Sequence, residues 1–165
     1  MINNIPNKYI PLNLTKKDQN IQRKNIVKSR KMYKKQKYFV RPKVKSFKSK
    51  PSKHVIKAKK IYNVSTVKPS RKLAIKTGCT KQTLEDIVDK GRAAYYSGGS
   101  RPNQTPDSWG IARLASAITG GNSSTVDYHL LHSGCKKNSK ALKLATKTCR
   151  KKNKCHNYTM KKGNK

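Results

Sequence analysis

The chain of 165 residues carries 41 Lys and Arg against 6 Asp and Glu, a formal net charge of +35. This excess predicts a polyanionic partner: nucleic acid, an anionic membrane face or an acidic protein. No apolar stretch approaches the length of a membrane span, and the first residues lack the pattern of a secretory signal. We therefore expect a protein that stays inside a cell or a particle.

The charge is distributed unevenly along the sequence. The first 78 residues contain 24 basic residues and one acid, Asp18, and the last 32 contain 12 basic residues and no acid. The segment from Cys79 to Ser133 has five of each and is formally neutral. Only this middle segment has the apolar content to close a core, whereas the flanks have the composition of chains that stay disordered until a partner neutralises them.

Residues 1–76 show no repeat and no sustained helical or strand period. One possible helix runs from about Lys16 to Lys37, but its apolar stripe is too thin for a core. Small aromatic and aliphatic clusters interrupt the basic background, and we expect them to anchor the segment on a partner's surface, the alternative being that they are incidental and solvated. The predicted anchors are Tyr38, Phe39, Phe47 and Tyr62.

Lysine outnumbers arginine 33 to 8. Lysine is a point charge suited to phosphate contacts of any sequence, whereas arginine is preferred for reading bases. We therefore expect binding without sequence specificity. The alternative is that an AT-rich genome sets the lysine bias, in which case the charge is real but the choice of lysine carries no information. The predicted polyanion contacts are Arg30, Lys31, Lys34, Lys35, Lys37, Lys57, Lys59, Lys60, Arg101, Lys151 and Lys152.

The middle segment predicts three short helices. The first is capped by Thr83 and ends at Gly98-Gly99. The second opens at Thr105-Pro106 with proline in the first turn and ends at Gly120-Gly121. The third covers Thr125 to His132, and Ser139 then caps a cationic helix that either docks on the core or remains a solvated arm.

Two features of this segment have alternative interpretations. Tyr95 and Tyr96 are adjacent, so one should enter the core while the other can stack on a base or on a partner. The turn SGGSRPNQTP precedes a helix and could hold an anion with help from Arg101, but it lacks the Gly-Lys-Ser/Thr ending of a phosphate loop, so a structural role is favoured. Arg113, four residues after Trp109, is positioned to lie over the indole.

The sequence predicts no catalytic residue and no cofactor. Acids in the first helix are explained by the helix dipole, and we expect the four cysteines to be reduced thiols. His129 and His132 near Asp127 form a weak metal pattern. A second weak zinc pattern has a gap too long for the usual C-x2-4-C spacing; its residues are Cys135, Cys149, Cys155 and His156.

The middle segment also resembles a known family. The residues that carry the resemblance are Gly91, Ala94, Tyr95, Ser97, Gly98, Arg101, Pro102, Thr105, Pro106, Trp109, Gly110, Ala112, Arg113, Leu114 and Ser116. This motif, YSGGSRPNQTPDSWGIARL at its centre, is similar to an uncharacterised domain of giant (nucleocytoplasmic large) DNA viruses and some tailed phages. The resemblance covers about 60 residues and implies a viral setting, but no activity.

We therefore expect an all-α protein: a compact domain of three to four helices at residues 77–134, between a basic arm at 1–76 and a basic helix or tail at 135–165. Both flanks should be long, basic and largely extended or disordered. The predicted function is that of a non-enzymatic virion structural protein, a minor capsid or core component made in the host cytoplasm. Its partners would be capsid proteins and viral DNA. The alternatives are a soluble histone-like or ribosomal-type nucleic-acid-condensing protein and a small metal-dependent enzyme acting on nucleic acid.

Overall fold

The structure is a computed structural model that describes residues 4–155. The described part of the chain is helical and contains no strand. An isolated antiparallel bridge joins Cys79 and Cys135. After a short 3-10 helix at Asn7–Tyr9, the helices are α1 Lys16–Lys34, α2 Lys53–Tyr62, α3 Arg71–Thr77, α4 Lys81–Ser97, α5 Pro106–Ile118, α6 Asn122–Val126, α7 Tyr128–Gly134 and α8 Lys140–Lys151.

The chain divides into two compact units. The first comprises Met1–Lys50 and Lys90–Gly110, and the second comprises Pro51–Asp89 and Ile111–Lys165. The first unit has 19 basic and 2 acidic residues, a formal charge of +17, and the second has 22 and 4, a charge of +18. Charge that is concentrated in the ends of the sequence is therefore shared almost equally by the two units.

In the first unit, α1 packs through a largely polar face. The Gln22 amide donates to the carbonyls of Tyr9 at 3.2 Å and Ser100 at 3.3 Å. The Asp18 carboxylate accepts from the backbone N–H of Ser46 at 2.8 Å and from its hydroxyl at 2.6 Å. These bonds satisfy polar groups that would otherwise be costly to bury. The buried residues of α1 are Asp18, Gln22, Ile26 and Ser29.

The predicted extended or disordered N-terminal arm is wrong. Residues 16–34, 53–62 and 71–77 form helices. In the segment between α1 and α2, the side chains of Arg41 and Val44 are buried. The possible helix at about Lys16 to Lys37 is confirmed as α1. Its docking was not predicted, because α1 contacts its neighbours through hydrogen-bonding side chains, which leave no apolar period in the sequence. The all-α class itself agrees with the structure.

The second unit has an apolar core. It is built from α2, α3, the first part of α4, the second part of α5, α7 and α8. The Tyr62 hydroxyl donates to the carbonyl of Ile118 within this core, and burial raises the pKa of Tyr62. The largest fully buried side chains of this unit are Leu73, Leu84, Ile87, Leu114, Ile118 and Leu131.

The C-terminal segment is also folded as far as it is described. Ser139 caps α8 by accepting from the N–H of Leu142 at 3.3 Å, as predicted. The buried residues Ala141, Leu142, Ala145 and Cys149 lie on one side of α8, so the helix docks on the core. The predicted alternative of a solvated arm is therefore wrong for residues 135–155. The predicted third helix divides into α6 and α7, which meet at Asp127.

Helix boundaries in the middle segment follow the predicted signals with one exception. The hydroxyl of Thr105 accepts from the N–H of Ser108 at 3.0 Å at the start of α5, and Gly99 has a φ of +111° just after α4. However, α4 begins at Lys81, and Thr80 rather than Thr83 supplies the cap, since its hydroxyl accepts from the Thr83 N–H at 3.2 Å.

Candidate functional site

The face of α1 opposite its buried residues is cationic. A helix of 19 residues is about 28 Å long. The one acid in α1, Asp18, lies on the buried side, and hydrogen bonds from Ser46 lower its pKa. The solvent side therefore presents positive charge along its whole length, which we call the α1 cationic face. Its exposed basic residues are Lys16, Lys17, Arg23, Lys24, Lys28, Lys31 and Lys34 of the helix, and Lys35, which follows it.

The predicted polyanion contacts of the first unit are mostly accessible. Lys31, Lys34 and Lys35 belong to the α1 cationic face, and the side chains of Lys37 and Arg101 are exposed as well. Arg30 differs from them, since it is half-buried and its guanidinium donates to the carbonyl of Gly98 at 3.0 and 2.7 Å. In this structure Arg30 therefore holds the end of α4.

Arg41, a buried arginine that was not among the predicted site residues, organises the first unit. Only 6% of Arg41 is exposed, and its guanidinium lies 3.7 Å from the ring centre of Tyr95. It donates to the hydroxyls of Ser29 at 2.9 Å and Ser100 at 2.8 Å, and to the carbonyl of Tyr95 at 2.9 Å. Burial lowers the pKa of Arg41. Hydroxyls, a carbonyl and a π face thus stabilise this cation.

Three tyrosines from different segments meet at the surface of the first unit, and we call them the tyrosine cluster: Tyr33, Tyr38 and Tyr96. The rings of Tyr33 and Tyr96 are nearly parallel, at 6°, with centroids 6.5 Å apart. The Tyr38 ring lies 5.0 Å from that of Tyr96 and 6.1 Å from that of Tyr33. Tyr38 is 66% exposed. The cluster is thus an aromatic surface within a basic one.

One of the two adjacent tyrosines enters the core, as predicted. Tyr95 is fully buried and its hydroxyl accepts from the backbone N–H of Arg41 at 2.9 Å. Tyr96 is half-buried, and burial raises the pKa of Tyr96.

The predicted partner anchors have different environments. Tyr38 is exposed, whereas Phe39 and Phe47 are half-buried, and the ammonium of Lys28 lies 4.4 Å from the ring centre of Phe39. Tyr62 is 3% exposed and belongs to the core of the second unit. Tyr62 therefore stabilises its own chain in this structure and is not accessible to a partner.

The second unit has cationic helix faces of its own. The predicted contacts Lys57, Lys59 and Lys60 are exposed on α2, and Lys151 and Lys152 are exposed at the end of α8. Lys152 also donates to the side chain of Asn122. The buried and basic residues of α8 fall on opposite sides of the helix, because apolar positions follow a 3.6-residue period. Its exposed basic residues are Lys140, Lys143, Lys147, Arg150 and Lys151.

The cysteines form two disulfides, Cys79–Cys135 and Cys149–Cys155. The prediction of reduced thiols is therefore wrong. Three of the proposed zinc ligands are cysteines in these bonds, and a disulfide sulfur is not the thiolate that zinc requires; the fourth, His156, lies outside the described residues. Within residues 4–155, no group of three or more His, Cys, Asp or Glu is arranged to hold a metal ion.

The SGGSRPNQTP turn holds the segment before α2. Asn103, at a φ of +60°, donates its amide to the carbonyls of Val44 and Phe47 at 3.1 and 3.0 Å and accepts from the Val44 N–H at 2.7 Å. Its neighbour Pro102 is buried. These contacts give the turn the structural role that the sequence favoured.

The two remaining motif residues make contacts that the sequence did not indicate. The Trp109 indole packs edge-on against Tyr9, with centroids 5.9 Å apart. Arg113 instead forms a bidentate pair with the buried carboxylate of Asp127, at 2.8 Å for both bonds. These hydrogen bonds raise the pKa of Arg113. The predicted stacking of Arg113 on Trp109 is thus replaced by an ion pair.

One signal in the sequence could have indicated the buried arginine. In a chain with 33 Lys and 8 Arg, an arginine marks a position where a planar, multi-donor group has an advantage. Arg30, Arg41, Arg92 and Arg113 all make specific bonds, the Arg92 contact being an ion pair with Asp107 at 2.6 Å. The tyrosine cluster left no such signal, because Tyr96 is far from Tyr33 and Tyr38 in the sequence.

Comparison with known proteins assigns the chain to a family without assigning a function. Residues 6–129 match the family of unknown function DUF5824, and the chain belongs to that family. The match is longer than the motif of about 60 residues and includes α1, so the N-terminal region is part of the family domain. No curated protein and no solved structure matches the chain. No helix among residues 4–155 is long and apolar enough to cross a bilayer.

Proposed function

We propose that this protein is a non-enzymatic structural component of a virus particle, a minor capsid or core protein that binds the packaged genome without sequence specificity. The observation that carries the proposal is the α1 cationic face, on which exposed basic residues follow one another while Asp18 is directed inward. The resemblance of the central motif to a domain of giant DNA viruses and tailed phages supplies the viral setting. Capsid proteins are the second proposed partner.

Spacing along α1 supports phosphate contacts. Residues three, four or seven apart in a helix lie on one side, at about 5 to 10 Å from one another along the axis. Lys24, Lys28, Lys31 and Lys35 follow such spacing. Flexible lysine side chains at these intervals can follow a row of phosphates without reading the bases.

The acids support a non-enzymatic role, because several are used in structural contacts. Asp18 accepts from Ser46, and Asp107 and Asp127 pair with arginines. Glu85 lies 3.4 Å from the ammonium of Lys81 one turn earlier in α4. A metal-dependent nuclease would need carboxylates brought together around an ion.

Binding to a labelled 30-bp DNA duplex at increasing salt concentration tests the nucleic-acid part of the proposal. Each phosphate neutralised contributes about −0.9 to the slope of log K against log salt. We expect a slope between about −4 and −8 and the same affinity for duplexes of unrelated sequence. A lack of binding at about 50 mM salt, where such contacts are strong, or an affinity independent of salt would contradict the proposal.

The second candidate is a soluble nucleic-acid-condensing protein of histone-like or ribosomal type. The folding of the N-terminal region favours this second candidate, because a folded surface can bind phosphates without any particle around it. Quantitative mass spectrometry of purified particles and of infected cells separates the two candidates. Our proposal expects the protein in particles at a constant ratio to the main capsid protein, and abundance in cells with absence from particles would establish the alternative.

A further inference from the structure

We infer that the tyrosine cluster is a stacking platform for the bases of a single-stranded nucleic acid, with phosphates held by the neighbouring lysines. This inference rests on the proposed function, since it takes the polyanion to be nucleic acid, and it deepens that function by naming the form of the partner. The proposal concerns only the first unit, to which all three tyrosines belong.

The rings have the geometry of a fixed aromatic surface. Tyr33 and Tyr96 lie nearly parallel, and Tyr38 contacts both at interplanar angles of 59° and 56°. Tyr96 is held from below by an edge-on contact with buried Tyr95, at 5.3 Å between centroids. A ring that is packed on two sides yet 66% exposed, as Tyr38 is, can accept a planar ligand with little loss of side-chain freedom.

The charges around the cluster favour a polyanion. Lys34, Lys35 and Lys37 are exposed and lie between Tyr33 and Tyr38 in the sequence. Asp107, whose charge acts on Tyr96, is paired with Arg92 at 2.6 Å. A strand whose bases stack on the rings would therefore have lysines available for the adjoining phosphates.

This combination indicates a single strand. In a duplex the bases are stacked on one another and present only their edges, so an aromatic ring cannot stack on them without unpairing. Bases of a single strand are free to stack on side chains, and a basic groove with aromatic rings is the common surface of proteins that bind such strands without sequence preference.

Comparison of two oligonucleotides with equal charge tests the inference. The probes are a fluorescent 20-nucleotide oligothymidylate and a 20-unit abasic strand, which has the same phosphates but no bases. Stacking is worth about 1–3 kcal/mol per base, so we expect the native protein to bind the oligothymidylate at least about tenfold more tightly. In Tyr38→Leu and Tyr96→Leu the two probes should bind with nearly equal affinity.

Conservative variants provide the matched control. Tyr38→Phe and Tyr96→Phe retain the ring and should keep the preference for bases, and thermal unfolding of all four variants confirms that they fold. Equal binding of both probes by the native protein would overturn the inference and leave the proposed function standing; that result is also expected if the cluster docks a protein. Failure to bind either probe or duplex DNA would overturn the proposed function itself. A preference for bases that persists in both leucine variants would place the stacking elsewhere and overturn the assignment to this cluster.

Discussion

At the scale of single residues, Arg41 connects three segments of the first unit. Its side chain reaches Ser29 in α1, Tyr95 in α4 and Ser100 in the turn that follows, so one guanidinium satisfies acceptors on each. None of these three hydrogen-bond partners of Arg41 is a carboxylate. Such a site depends on the arginine's planar fork, which lysine cannot reproduce.

Replacing Arg41 with Ala should destabilise the protein by about 3 kcal/mol or more, because it leaves buried acceptors unpaired and removes the contact with the Tyr95 ring. Urea unfolding measures the change. Arg23→Ala, at an exposed position of α1, is the control and should change the free energy of unfolding by less than about 0.5 kcal/mol. Equal stability of the two variants would show that the Arg41 network contributes little.

Asp18 gives the protein an acid-dependent contribution to stability. Hydrogen bonds from Ser46 lower the pKa of Asp18 in the folded state, so the unfolded state takes up the proton first as the pH falls. The contribution is therefore complete above the unfolded pKa of about 4 and is lost as the pH falls through the folded value.

The Asp18→Asn variant should consequently be less stable than the native protein at pH 7, and the difference should shrink below about pH 4. Ser46→Ala should also reduce this pH dependence of stability, because it removes the hydroxyl that donates to the Asp18 carboxylate. Chemical unfolding between pH 2 and pH 7 measures both. A difference that stays constant across this range would mean that the Asp18 carboxylate is not held in its charged form by Ser46.

At the scale of elements, the sequence predicted the helices of the middle segment, α8 and a possible helix at α1. It did not predict α2 or α3, although Ala58, Tyr62 and Leu73 pack in the apolar core. Ser139 and the spacing of Leu142, Ala145 and Cys149 identified α8, and Thr105-Pro106 identified the start of α5. The docking of α1 could not be predicted, because its buried face is made largely of polar residues whose partners come from distant segments. The spacing of apolar residues in a sequence indicates the buried face of a helix only when that face is made of apolar residues.

The candidate site was predictable only in part. The sequence identified Lys31, Lys34 and Lys35 of the α1 cationic face and the exposed Tyr38. It did not indicate that Tyr38 meets two other tyrosines, which depends on the tertiary fold. The disulfides were also missed, because the expected location inside a cell or a particle implied reduced thiols. Which cysteines are close enough to pair is a property of the packed helices.

The two disulfides should stabilise the protein unequally. Cys79–Cys135 closes a loop with a sequence separation of 56, and Cys149–Cys155 closes one of 6. Loop-closure entropy predicts about 4 kcal/mol for the first and about 2 kcal/mol for the second. Thermal unfolding of Cys79→Ser/Cys135→Ser and Cys149→Ser/Cys155→Ser pairs tests this order. The reverse order, or free thiols in the native protein on titration, would contradict it.

At the scale of the whole molecule, each unit is folded while carrying a large charge of one sign. The +17 of the first unit and the +18 of the second oppose compact structure through self-repulsion, and they should make the protein more stable with a polyanion bound. The cations do not need disordered arms in order to reach phosphates, since helix faces present them. The central claim is therefore that a folded surface, and not net charge alone, binds nucleic acid.

Two charge-matched triple variants test this claim most directly. One changes Lys24, Lys31 and Lys35 of the α1 cationic face to Gln. The other changes Lys68, Lys72 and Lys76 of the second unit, which are also exposed, to Gln. Binding of each to the same 30-bp duplex is measured as a function of salt. We predict that the first variant loses at least about tenfold in affinity and about 3 from the salt slope, whereas the second changes the slope by less than about 1. Equal losses in the two variants would show that total charge alone governs binding and would contradict the account.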